Sequence, residues 1–270
     1  MPHDDPPPGV RPRPRFTQLP AGSFLWRIAR RARNDWSPGP AEAAGYAPPW
    51  RPDRGEATIP AGIAGLAGLS PASGLTSVFQ EFDEAAFDEK LAGRFDPTPQ
   101  CPYPYCYAAL DDLTAICEVL LRDVSTQGSH RYVPRKAIAD LQLTILETRT
   151  SLWLVSLLDA ADLAAAGQDS WLIHAESAAC YDTTRRWAHW LRDSETPDGS
   201  GPPAGLVWRS KREPAGQSVL LFGDRCGKSV VYSPFGVRPL DTGEGLDWLN
   251  RRLELLRTRI RVSPPMPGWR

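Results

Sequence analysis

"YAALDDLTAICEVL", residues 107–120, joins a short run of small and apolar residues to a helix signal without a break. The first part, around 106–108, reads as a strand. It ends at a pair of aspartates, either of which, Asp111 or Asp112, can cap a helix by accepting from the first free N–H groups. Behind the cap, Leu113, Ile116, Val119 and Leu120 recur at helical spacing and define one apolar face. Glu118 borders that face. It stands two positions after Ile116 and one before Val119.

Working outward, "SFLWRIA" (23–29) is an apolar run that predicts a strand. "IADLQLTILET" (138–148) alternates at Leu141, Leu143 and Ile145 and predicts a half-buried strand. "SLWLVSLL" (151–158) predicts a more deeply buried one. "GLVWRSK" and "SVLLF" predict two short strands across a turn at 213–217. "SVFQEFDEAAFDEKL" (77–91) is compatible with a short helix. "SAACYDTTRRWAHWLRD" (177–193) is helical, with Tyr181, Trp187, Trp190 and Leu191 inward. "GLDWLNRRLELLRTRI" (245–260) spaces Leu246, Leu249, Leu253, Leu256 and Ile260 as an amphipathic C-terminal helix. The sum is an α+β fold. Residues 1–20, rich in Pro and Arg, read as a flexible arm. Residues 21–262 read as a single domain with a Pro- and Gly-broken insertion around 34–85, and 263–270 as a tail.

The net charge of −1 gives no field that would draw nucleic acid or a membrane surface to the whole molecule. No run of eighteen apolar residues is present to span a bilayer. The N-terminus carries no apolar stretch of the signal-peptide kind. The five cysteines, at 101, 106, 117, 180 and 226, are odd in number and form no C-x-x-C pair; with four scattered histidines they offer no metal spacing. A soluble cytoplasmic protein with free thiols and no metal is the expectation.

Three motifs mislead. "VLLFGDRCGKSVV" (219–231) resembles a phosphate loop, but Gly223 and Gly227 have three residues between them, not four. The β-branched Val230 and Val231 and then Pro234 do not open a helix. Two strands, 219–222 and 229–232, joined as an edge hairpin, explain the stretch better. His174, Ser177 and Asp182 supply hydrolase residue types without a G-x-S-x-G elbow. Arginines 251, 252, 257, 259 and 261 fit a solvated helix face, given Glu254 among them.

A dispersed set is more telling. Arg27 interrupts an apolar strand, and a charge there must face a site or a partner. Arg94 stands in "GRFD", Tyr107 opens the strand, Glu118 borders the helix face, and Ser210 follows "GLVWR". In this order, "WRI", "GRFD", "YAALDDLTAICEVL", "YDTTRRWA", "GLVWRSKR" and "VLLF" resemble the RES domain over roughly residues 22–222. The resemblance implies an ADP-ribosyltransferase-like mixed sheet flanked by helices. It matches Arg27, Arg94, Tyr107, Glu118 and Ser210 to that family's arginines, tyrosine, glutamate and serine. Three departures stand out: the excursion at 34–85, Tyr-Ala-Ala in place of the commoner Tyr-Leu-Ala, and Trp208 where tyrosine is usual.

The resemblance further implies an enzyme of the kind found among toxins of bacterial toxin–antitoxin pairs, with NAD+ as substrate. Arg27 and Arg94 would grip its pyrophosphate through forked hydrogen bonds, Tyr107 would stack on a ring, and Ser210 would bond a phosphate or the carboxamide. Glu118 would stabilise the ribosyl cation as the nicotinamide–ribose bond breaks. Nicotinamide leaves neutral, so one carboxylate suffices. Water as acceptor makes a glycohydrolase and inorganic phosphate a phosphorylase. A protein acceptor would make an ADP-ribosyltransferase. A catalytically silent binding module, in which Arg27 and Glu118 form a structural ion pair, is the reading from another class. A cognate antitoxin that plugs the pocket is the expected partner.

Overall fold

The computed structural model describes residues 5–30, 78–88, 92–122, 124, 129–175 and 178–261. Strands are β1 (Phe16–Leu19), β2 (Phe24–Arg30), β3 (Tyr105–Ala109), β4 (Arg131–Pro134), β5 (Leu141–Thr148), β6 (Leu152–Leu157), β7 (Gly205–Arg209), β8 (Gln217–Phe222), β9 (Val230–Pro239) and β10 (Thr258–Arg261). Helices are α1 (Asp112–Leu120), α2 (Arg135–Ile138), α3 (Ala160–Ala165), α4 (Trp171–His174), α5 (Ala178–Arg192), α6 (Gly223–Cys226) and α7 (Gly243–Leu255). Most of the excursion at 34–85 and the tail at 263–270 lie outside the described residues.

Eight strands form one mixed sheet in the order β1-β6-β7-β8-β3-β2-β5-β9, with β6–β7 the parallel pair. β4 and β10 make a separate parallel pair. Alternation along the strands sorts three apolar clusters. Trp26, Ile28, Leu143 and Ile145 pack under α1 and α7 on one half of a face. Leu157, Leu206, Leu220 and Phe222 pack under α3, α4 and α5 on the other half. Leu25, Ala108, Leu154, Val207 and Val219 fill the opposite side. The fold is the α+β sheet flanked by helices that the sequence implies.

The sheet is weakest in its middle. β2 runs alongside β5 from Phe24↔Glu147 to Arg30↔Leu141, but meets β3 only at Trp26↔Ala109. Beyond that pair the two strands part. Residue Gln80 takes the place of β2 there: its N–H donates to Tyr105 O at 2.8 Å, and Tyr105 N–H returns to Gln80 O at 2.9 Å. The described residues 78–88 hold no helix where the sequence allowed one: Gln80 forms an isolated bridge to Tyr105, and a turn follows at 84–87.

Other expectations are corrected too. Phe16–Leu19, assigned by composition to a flexible arm, forms edge strand β1 against β6. Upstream, Asp5 pairs with Arg186 at 2.6 Å and Trp190 Nε1 donates to Val10 O at 2.8 Å. A proline-rich segment is already extended, so it docks against α5 at small entropic cost. The strands flanking Gly223 do not form an edge hairpin: β8 pairs with β3 and β7 inside the sheet, β9 pairs with β5 at its far end, and the single turn α6 lies between. The C-terminal helix stops at Leu255. Arg257 adopts a left-handed φ of 47°, and Ile260 belongs to β10.

Candidate active site

Where β2 and β3 part, a cleft of about 630 Å³ opens between the α1 half and the α5 half of the sheet. α1 begins where the sequence predicts. Asp111 accepts from Thr114 N–H at 2.7 Å and from the Thr114 hydroxyl at 2.6 Å. Its buried side is Thr114, Ala115, Ile116, Cys117 and Leu120. Val119, expected on the apolar face, is 43% exposed and lines the cleft beside Glu118.

Four of the five sequence-predicted residues line this cleft: Arg27, Arg94, Tyr107 and Glu118. Arg27 Nη1 donates to Cys106 Sγ at 3.0 Å, across the gap between the strands. Arg94 Nη2 donates to Ala175 O at 2.8 Å, and its guanidinium lies 5.9 Å from the Phe95 ring centroid and 5.8 Å from that of Tyr181. Burial pulls the Arg94 guanidinium down from its ordinary value, yet a guanidinium stays charged at neutral pH. The Tyr107 hydroxyl accepts from Phe95 N–H at 3.2 Å, while its ring meets Tyr105 and Trp208 edge-on. Burial pushes this phenol well above the ordinary range, so it is a neutral group and not a base.

Ser210 has a different place from the one expected. It is 1% exposed and stands behind Glu118. Its hydroxyl donates to Glu118 Oε1 at 2.6 Å and accepts from Arg212 N–H at 3.1 Å and Glu213 N–H at 2.9 Å. The serine thus fixes the carboxylate to the β7–β8 turn. Gly216 closes that turn by accepting from Ser210 N–H at 3.1 Å, and a Cβ there would meet Thr114 Oγ1 at 1.7 Å. Only glycine lets the turn lie against the start of α1.

The structure adds groups that sequence reading left without a role. Arg122, Lys211 and Arg212 also line the cleft, with Asp96 the other carboxylate beside Glu118. Five cations against two carboxylates give a formal excess of three in a chain of net −1. Burial also raises Asp96 above the ordinary carboxylate range, which favours its neutral form and sharpens the imbalance. The "GRFDP" turn is tied by Gly93 N–H to Asp96 Oδ2 at 2.7 Å. Of the hydrolase types weighed from sequence, Asp182 is engaged with Arg186, and Ser177 lies outside the described residues. No cluster of three His, Cys, Asp or Glu suited to a metal occurs among the described residues. No helix there is long and apolar enough to cross a membrane.

The model of the RES domain matches residues 72–241. The chain belongs to the RES domain family. Arg94, Tyr107, Glu118 and Ser210 fall within the matched stretch; Arg27 precedes it and is joined to the others by the sheet. Among solved structures, the chain is similar to one from the crystal structure of the M. tuberculosis MbcT–MbcA toxin–antitoxin complex. The identity is 15% over 58% of this chain and 87% of that one, with a TM-score of 0.36. No curated protein matches the chain.

Proposed function

We propose that this RES domain binds NAD+ in the cleft and breaks its nicotinamide–ribose bond, as a glycohydrolase or phosphorylase of the toxin type. The observation that carries the reading is Glu118: a carboxylate held at 2.6 Å by a buried serine, in a cleft where cations outnumber carboxylates five to two and aromatic rings line the wall. Arg27 and Arg94 bind the anionic middle of the dinucleotide, and the Tyr107 ring packs against a flat part of it. Breaking the glycosidic bond sends the bonding electron pair to nicotinamide, which leaves neutral. Positive charge grows on the ribose at C1 and its ring oxygen. A fixed carboxylate stabilises that charge more in the transition state than in the substrate. Water adding at C1 gives ADP-ribose and releases a proton; phosphate gives the ADP-ribose phosphoester.

Free nicotinamide, measured by chromatography from pure protein and NAD+ with and without phosphate, tests the reading. Release without a protein acceptor supports it, and dependence on phosphate names the phosphorylase. Label passing to a polypeptide favours the ADP-ribosyltransferase, and an inert protein favours the silent module. Glu118→Gln is expected to lower turnover by about 10²–10³-fold or more with the melting temperature held. A cognate antitoxin is proposed as the partner, its footprint expected over the mouth of this cleft.

A further inference from the structure

Tyr181 brings two guanidinium groups to one point of the cleft wall. It projects from α5 and is 6% exposed. Its ring takes the Arg94 guanidinium at 5.8 Å, and its hydroxyl accepts from Arg122 Nη2 at 3.0 Å. Arg94 comes from the "GRFDP" turn and Arg122 from just past α1, so three separate segments converge. Like charges do not gather on one phenol without reason. The Arg122 charge is among the influences that pull Arg94 down, and neither group makes an ion pair among the described residues. Each guanidinium has five N–H donors, and the structure occupies few of them: Arg94 with Ala175 O, Arg122 with Tyr181. The Arg94 Nε–H is buried without a partner.

We propose that Arg94 and Arg122, registered by Tyr181, form a clamp for a diphosphate, with Arg122 the residue that selects diphosphate over monophosphate ligands. Two planar forks gathered on one tyrosine suit two linked phosphates, each able to accept in bidentate fashion. The placement also fits the reaction. Arg122 lies four residues after Glu118, two past the end of α1, and both side chains line the same cleft. In NAD+ a single sugar ring separates the scissile bond from the diphosphate. A diphosphate held at Arg122 therefore brings the ribose to Glu118. In this respect the inference rests on the proposed NAD+ chemistry, but the clamp itself is testable without turnover.

Titration calorimetry with ADP, AMP and nicotinamide, on wild type, Arg122→Gln, Arg122→Lys and Tyr181→Phe, makes the test. Arg122→Gln should weaken ADP by about 10- to 100-fold, the range for losing hydrogen bonds to a charged group. AMP should weaken much less, and nicotinamide not at all. Arg122→Lys should recover part of the ADP affinity, and Tyr181→Phe should fall between wild type and Arg122→Gln. In turnover, Arg122→Gln should raise KM for NAD+ and leave kcat within a few-fold. Arg122 is exposed, so folding is expected to survive, and melting curves check it. Equal ADP affinity in wild type and Arg122→Gln overturns the clamp, as does a wild type that binds no ADP. If ADP binding behaves as expected while wild type releases no nicotinamide, the clamp stands and the catalytic reading falls. If nicotinamide is released and KM ignores Arg122, the reverse holds.

Discussion

Ser210→Ala separates a positioning role from a binding role for the serine. The hydroxyl donates to a carboxylate at 2.6 Å and accepts from two backbone N–H groups, so its loss frees one charged acceptor and two donors of the turn. A hydrogen bond to a charged group contributes about 1.5–3 kcal/mol. If that contribution goes into holding Glu118 where ribosyl charge develops, the barrier rises by the same amount, about 10- to 150-fold in kcat. KM should move little, because the serine lies behind the glutamate and does not line the cleft. Stability should fall by about 1–3 kcal/mol, since the Arg212 and Glu213 N–H groups lose their buried acceptor. Steady-state kinetics of nicotinamide release, with melting curves as control, give both quantities. A variant with unchanged kcat and a raised KM would refute the reasoning, because it would show the hydroxyl on the substrate, as the resemblance first implied.

Two further outcomes follow from the same geometry. Gly93→Ala places a Cβ 2.6 Å from Asp96 Oδ1 and 3.3 Å from the Tyr107 hydroxyl. The variant should lose about 1–3 kcal/mol of stability, the usual cost of forcing atoms into a packed site, and bind NAD+ more weakly; a neutral effect on both would show that the turn relaxes freely. His189 is lowered from 6.5 to about 4 by burial, with Arg192 and Arg185 adding to the effect and Asp193 and a bond to the Asp96 backbone opposing it. The folded state therefore prefers the neutral ring: its contribution is complete above pH 6.5 and is lost as pH falls toward about 4. At roughly 1.4 kcal/mol per unit this is at most about 3 kcal/mol, and in His189→Gln the drop in denaturant midpoint over that window should shrink.

Local signals were legible, and partnerships were not. The cap at Asp111, the strand at Tyr107 and the apolar period of α5 are set by neighbours within four residues, so the sequence displays them. Arg27 announced itself as a charge in an apolar strand. Ser210 could be found but not aimed, because whether its hydroxyl meets a ligand or Glu118 depends on how the turn to Gly216 folds against Thr114. Arg122 and Tyr181 look unremarkable alone; their meaning comes from contact between positions 59 residues apart. The same holds for β1 and β10, short strands that exist because β6 and β4 offer them an edge. Ile260 kept a helical spacing with Leu256 while the chain had already turned at Arg257.

The cleft itself depends on a pairing that fails to continue. By alternation Arg27 lies on the opposite face of β2 from Trp26 and Ile28, which would commit its charge to the apolar side beside Leu25. It escapes because β2 and β3 separate right after Trp26↔Ala109, so the side chain stands at the gap and reaches Cys106. An open strand edge normally attracts a partner. Were β3 bare there, closing the sheet would satisfy its backbone and abolish the cleft. Gln80 prevents this by satisfying both backbone groups of Tyr105, and it lines the cleft as it does so. The segment around residue 80 is thus a wedge as well as a wall: it keeps the sheet open where the arginine, the tyrosine and the glutamate line one cleft.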